Sequence, residues 1–199
     1  MTKVIGLTGG IGSGKSTAVR FFEKHGIPVY IADEAAKKIM QQENVINEIQ
    51  ALFSQNIKLP TGQLDRKLIS QLVFDNPIKL KELNAIVHPI VREHFNQWLQ
   101  HHSQFPFIIK EVAILFETKG HLQCEATILI KASLENRISR VMKRDNKSKD
   151  EVLQIIQNQL PEEEKEKLAT YVISNDNLDK MHEELEILLQ NFKNRYKLT

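Results

Sequence analysis

Gly9, Gly14, Lys15 and Ser16 occupy the fixed positions of the pattern G-x-x-x-x-G-K-[ST], spread over Gly9-Gly10-Ile11-Gly12-Ser13-Gly14-Lys15-Ser16. Glycines at this density let the backbone curl until successive N–H groups point into one concavity, which suits a phosphate group. A helix opening at the end of the loop adds partial positive charge at the same place. The expected guest is a nucleoside triphosphate. In that geometry Lys15 reaches the β- and γ-phosphates and the Ser16 hydroxyl coordinates Mg²⁺.

Phosphoryl transfer to an acceptor needs three further things: a base for the acceptor proton, positive charge over the transferring group, and exclusion of water. Asp33 is a candidate base, because it follows the apolar run Val29-Tyr30-Ile31 and ligands of parallel sheets gather beyond the carboxyl ends of strands. The same residue could cap a helix over residues 34–40, and the two roles can coexist. Arg137, Arg140, Lys143 and Arg144 recur at helical spacing behind a possible Ser133 cap, so one face of that helix could line a polyanion site or close over it as a lid. Glu111, after the third apolar run, could help hold Mg²⁺ through water, and Glu117 ends a short apolar segment; either carboxylate could equally be structural. The histidines His88, His101 and His102 lack the cysteine or carboxylate spacing of a zinc site.

These groups must be held by a framework, and the pattern for one is visible. Short apolar runs at residues 4–8, 28–31, 107–111, 126–131 and 171–174 alternate with helical periodicity, which predicts βαβ units and a five-stranded parallel sheet flanked by helices. Residues 33–104 cross no obvious strand and exceed what one crossover needs, so an inserted helical subdomain is expected there. Within it, residues 59–63 read as a turn and 64–74 as a helix. Asp75-Asn76-Pro77 then starts another helix, which His88-Pro89 should interrupt. Charged residues 162–167 read as a solvated helix surface, and Met181, Leu185, Leu188, Leu189 and Phe192 as the apolar stripe of a last helix.

Composition narrows the classes further. A chain of 199 residues that is 41% hydrophobic can bury one full core with insertions, but not two large independent domains. The net charge of +2 gives no polyanion-binding surface of the kind a long nucleic acid needs. Cys124 is the single cysteine and precedes an apolar run, which points to an inert buried thiol and a reducing compartment. With no apolar stretch near the roughly 20 residues of a membrane span, a cytoplasmic protein is expected, and a monomer. A GTPase switch would carry Asn-Lys-x-Asp, whereas Asn146-Lys147-Ser148-Lys149-Asp150 has the wrong spacing, and no Asp stands three residues before a Gly.

Several separate segments, in order, resemble the dephospho-coenzyme A kinase family, over essentially the whole chain. They are Gly6 to Ser16, Ala32-Asp33, Gly62-Gln63-Leu64-Asp65-Arg66, and Leu83-Asn84-Ala85-Ile86-Val87-His88-Pro89-Ile90-Val91-Arg92. The later ones are Ile114-Leu115-Phe116-Glu117, Arg140-Val141-Met142-Lys143-Arg144-Asp145 and Gln159-Leu160-Pro161. The resemblance implies an α/β P-loop NTPase fold organised as one kinase unit. Its core would span about residues 1–32, 105–132 and 169–199, its acceptor-binding helical insertion about 33–104, and its lid about 133–168. It also implies ATP and Mg²⁺, with ATP phosphorylating the ribose 3′-hydroxyl of dephospho-coenzyme A. By carry-over Gly12, Ser13, Gly14, Lys15, Ser16 and Thr17 bind ATP, Asp33 is the base, His88 and Arg92 belong to the acceptor side, and Arg140 and Arg144 belong to the lid. One segment departs from the family pattern: Glu111-Val112-Ala113-Ile114-Leu115-Phe116-Glu117 stands where members commonly read Asp-Val-Pro-Leu-Leu-Phe-Glu. The charge is kept, the carboxylate is one methylene longer and the proline is absent. Two other classes share the loop: a kinase of another small molecule, and an ATP-binding switch without acceptor-dependent turnover.

Overall fold

The computed structural model describes residues 1–74 and 76–197. The five apolar runs are strands: β1 Lys3–Thr8, β2 Val29–Ile31, β3 Phe107–Glu111, β4 Ala126–Lys131 and β5 Tyr171–Ser174. They form one parallel sheet in the order β2-β3-β1-β4-β5. Because all five run the same way, their carboxyl ends share one edge. The strand order switches direction on either side of β1, which is where such sheets open a ligand crevice.

The chain divides into two compact units, Met1–Ile31 with His101–Thr199, and Ala32–Gln100. In the first, helices α1 (Lys15–Lys24) and α9 (Leu178–Tyr196) cover one face of the sheet. Ile5, Leu7, Ile109, Ile128 and Ile130 meet Val19 and Phe22 of α1 and Met181, Leu185, Leu188, Leu189 and Phe192 of α9. That is the stripe expected from the sequence. Helices α6 (Leu134–Asp145), α7 (Lys149–Gln157) and α8 (Glu162–Leu168) follow β4, with Ile138, Val141 and Val152 joining α6 to α7.

In the second unit, α2 (Ala32–Ile39), α3 (Glu43–Gln50), α4 (Arg66–Phe74) and α5 (Pro77–His101) enclose Ile39, Val45, Ile49, Ile57, Ile69, Leu83 and Val87. The sole extended pairing among its described residues is an isolated antiparallel bridge, Lys58 with Leu64. That bridge holds Leu64 out of the helix expected to begin there. The helix starts at Arg66 instead, with Asp65 Oδ1 accepting from Leu68 N at 3.0 Å. Asn76 Oδ1 accepts from Lys79 N at 3.0 Å at the head of α5, and Asp75 lies outside the described residues.

The expected interruption at His88-Pro89 does not occur. Helix α5 runs through Pro89 for 25 residues. The ring removes the bond to the Ala85 carbonyl and costs on the order of 3 kcal/mol. Buried Leu83, Val87 and Phe95 anchor the turns on both sides and offset that cost. No helix of the described residues is long and apolar enough to cross a membrane.

Candidate active site

The glycine-rich loop leaves the carboxyl end of β1 and closes on the first turn of α1. Its shape is set by its own backbone and by neighbours. Ser13 N donates to Gly10 O at 3.1 Å, and Gly12 and Gly14 take φ values of 78° and 101°. Side chains are excluded there twice over. The conformation is left-handed, and a Cβ on Gly14 would overlap the Asn175 side-chain amide. Lys15 Nζ donates to Gly9 O at 2.9 Å, so its ammonium lies across the mouth of the loop. Ser16 is exposed in the first turn of α1. Ser13 is fully buried, and its Oγ has no hydrogen-bond partner among the described residues. The loop therefore offers a buried hydroxyl, a primary ammonium and the positive end of a helix dipole, a set that fits a polyphosphate.

Around this loop the structure sorts the basic helix. Arg140 NH1 reaches Gly12 O at 3.4 Å and its NH2 donates to Asn175 O at 2.6 Å, which puts this guanidinium beside the loop. Arg144 is exposed and forks onto Asp145, at 2.7 and 2.8 Å. Arg137 departs from the basic face expected to line a polyanion site. It is 5% exposed and donates to Ile11 O and to Glu162. Glu162 is half-buried, and desolvation holds its carboxyl above the usual carboxylate range despite Arg137 and Lys165 nearby.

The solvated reading of residues 162–167 is corrected in part by the same contacts. Glu163, Glu164 and Lys167 are exposed, but Lys165 is fully buried, with its Nζ 3.4 Å from Glu117 Oε1. Glu117 Oε1 also accepts from Leu160 N at 3.1 Å. Its carboxylate is engaged in holding the turn between α7 and α8.

The other carboxylates divide by place. Glu111 is 6% exposed at the carboxyl end of β3, in register with Leu7 of β1 and Ile31 of β2. Asp33 lies in the first turn of α2 rather than ahead of it, because the helix already begins at Ala32. It is exposed, and its carboxylate makes no hydrogen bond or ion pair among the described residues. Negative charge there also suits the helix dipole. His88 and Arg92 are exposed and four residues apart on α5, so the unbroken helix presents them on one face.

No cluster of three or more His, Cys, Asp or Glu side chains able to hold a metal occurs among the described residues. Mg²⁺ bound to a nucleotide draws most of its ligands from phosphates and water and needs only one or two protein oxygens. Ser16 and Glu111, both hard oxygen donors, fit that demand.

Comparison with known proteins decides the family. A family model described as dephospho-CoA kinase matches residues 3–180. The chain belongs to the dephospho-CoA kinase family. The dephospho-CoA kinase of Leptospira interrogans is 40% identical over 189 residues, covering 94% of this chain and 91% of the relative. A solved structure from Thermus thermophilus superposes with a TM-score of 0.87 at 38% identity, over 96% of this chain and 97% of that one. The dephospho-CoA kinase structure from Campylobacter jejuni shares the fold, with a TM-score of 0.73 at 24% identity, covering 96% and 98%.

Sequence reasoning missed three neighbours of the dephospho-CoA kinase phosphate loop: Asn175, Gln159 and, in its buried role, Arg137. Asn175 follows β5 directly and its Nδ2 donates to Ser13 O at 2.8 Å. The rule that singled out Asp33, a polar residue just past a strand's carboxyl end, also describes Asn175. Gln159 carried a signal as part of a family-like segment, but nothing local showed what it touches.

Proposed function

We propose that the protein transfers the γ-phosphoryl group of ATP to the ribose 3′-hydroxyl of dephospho-CoA, forming CoA and ADP. The observation that carries this reading is the family match across residues 3–180, which includes a phosphate loop whose donors are already arranged. In the reaction the acceptor oxygen forms a bond to the γ-phosphorus as the bond to the β,γ-bridging oxygen breaks. The acceptor proton passes to Asp33, and the bridging electron pair leaves with ADP.

Each residue then has one task. Gly12, Ser13, Gly14, Lys15, Ser16 and Thr17 bind the ATP phosphates, and Lys15 neutralises charge on the β,γ oxygens. Arg140 stabilises the transferring group from beside Gly12, and Arg144 closes over the nucleotide from the lid of residues 133–168. His88 and Arg92, together on one face of α5, hold the acceptor in the helical insertion of residues 33–104. Bound Mg²⁺ supplies charge neutralisation on the phosphates, with Ser16 and Glu111 as its protein oxygens.

Steady-state ADP release, measured with ATP and a panel of acceptors, tests the reading. Turnover should depend on dephospho-CoA. Faster turnover with shikimate, a nucleoside monophosphate or water than with dephospho-CoA would replace it with another kinase or hydrolase.

A further inference from the structure

The phosphate loop is gripped by side chains that come from far along the chain. Arg137, in the first turn of α6, directs three nitrogens at three partners. Its Nε donates to Ile11 O at 3.0 Å, NH1 to Glu162 Oε2 at 2.8 Å, and NH2 reaches Gln159 Oε1 at 3.5 Å. Gln159 Oε1 also accepts from Ile11 N at 3.0 Å. Both polar groups of Ile11 are thereby tied to α6 and to the turn before α8. The guanidinium lies against Gly10, where a Cβ would overlap it.

The charge of Arg137 is spent on this task. Glu162 pairs with it in a place where Arg137 is 7% exposed and Glu162 is 18% exposed at the side chain. A guanidinium so neutralised adds little field at a phosphate, in contrast to Arg140, which carries no carboxylate partner among the described residues and donates to Gly12 O of the loop and to Asn175 O after β5. What Arg137 supplies is geometry. A glycine-rich loop has many conformations to lose, and a ligand that must order it binds correspondingly less tightly. Side chains that fix the loop beforehand remove that cost from nucleotide binding.

We propose that Arg137 and Gln159 are positioning residues that pre-shape the phosphate loop by holding the Ile11 peptide groups, with Glu162 fixing the Arg137 fork. The proposal rests on the reading of this loop as the ATP site. It predicts an effect confined to ligands that carry phosphates, because the grip lies on the Gly10–Ile11 limb of the loop.

Titration of the full-length protein with ATP and with adenosine, alongside thermal melts, tests it on Arg137→Lys and Gln159→Leu. The lysine keeps a charge for Glu162 but lacks the second and third directed N–H groups, and the leucine removes the acceptor shared by Ile11 and Arg137. Each variant should bind ATP roughly tenfold more weakly, because the cost of ordering the loop returns to the binding step, while adenosine affinity stays at the parent value. The double variant should lose less than the product of the two, because both act through Ile11. If Arg137→Lys melts below the assay temperature, Gln159→Leu decides. Parent-like ATP affinity in the folded variants, or equal losses of ATP and adenosine, overturns the positioning role while leaving the nucleotide site intact. A parent protein that binds no ATP overturns the site reading itself.

Discussion

In the proposed reaction Asp33 bears the heaviest chemical demand of any single residue, since a ribose hydroxyl is a poor nucleophile until its proton has somewhere to go. Its carboxylate is exposed and free of partners among the described residues, and it sits inside α2 rather than capping it. Asp33→Asn keeps the size and removes only the proton-accepting charge, with a small loss at the helix dipole. Turnover should fall by roughly 10²- to 10⁴-fold while ATP affinity and the melting temperature stay near the parent values. Retained turnover would assign the base elsewhere. Lys15 and Asp33 stand out as candidates in the sequence because their signals are local: a fixed spacing, and a place just after an apolar run. Arg137 could not be sorted from Arg140 and Arg144 by spacing, because its burial depends on Glu162, 25 residues further on. Nothing nearby in the chain marks which of Glu162, Glu163 and Glu164 turns inward.

At the level of elements, polar contacts tie α6 to the phosphate loop through Arg137 and Ile11, and α8 to β4 through Glu166 and Lys131. Removing Arg137 in favour of an apolar side chain would leave Glu162 without its hydrogen-bonded partner, and because Glu162 is only half-buried the cost should fall below the about 3–5 kcal/mol of a fully buried pair. A second tie runs from the turn after β5 to the start of α6. Asp176 accepts from Ser133 N at 2.8 Å and Asn136 Nδ2 at 2.7 Å, and these bonds pull its carboxyl down to about 2. A carboxyl with a depressed folded value adds stability above its unfolded value and loses it as the pH falls through the folded one. Asp176→Asn should therefore melt a few degrees below the parent at neutral pH, with the gap narrowing below about pH 4 and closing near pH 2. An unchanged gap down to the acid limit would show that the charge plays no part. Sequence periodicity gave α6 and α9 well, whereas α5 was mistaken at Pro89. A proline within a pattern signals a break locally, and the buried anchors that carry a helix through it are a tertiary fact.

The whole molecule places its chemistry by topology. With β1 between β3 and β4, the loop that leaves β1 opens where the strand order reverses. Glu111 at the end of β3, the α6 start after β4 and Asn175 after β5 lie at the same edge of the parallel sheet. The alternation of apolar runs announced this sheet, since strands buried on both faces read as continuous apolar stretches. Strand order is a matter of pairing between distant segments, and came only with the structure. The second unit, Ala32–Gln100, shows from its own core how a helical insertion stays folded, with ten buried apolar side chains drawn from all four of its helices and their connections. The central claim is regiochemical: one phosphate, from ATP, onto one hydroxyl. It is tested most directly by incubating the protein with ATP, Mg²⁺ and dephospho-CoA and locating the new phosphate by phosphorus and proton NMR. The account predicts a product phosphorylated at the ribose 3′ position in equal amount to the ADP formed, and none from the 3′-deoxy analogue; phosphate at another position, or ADP formed without a phosphorylated product, would contradict it.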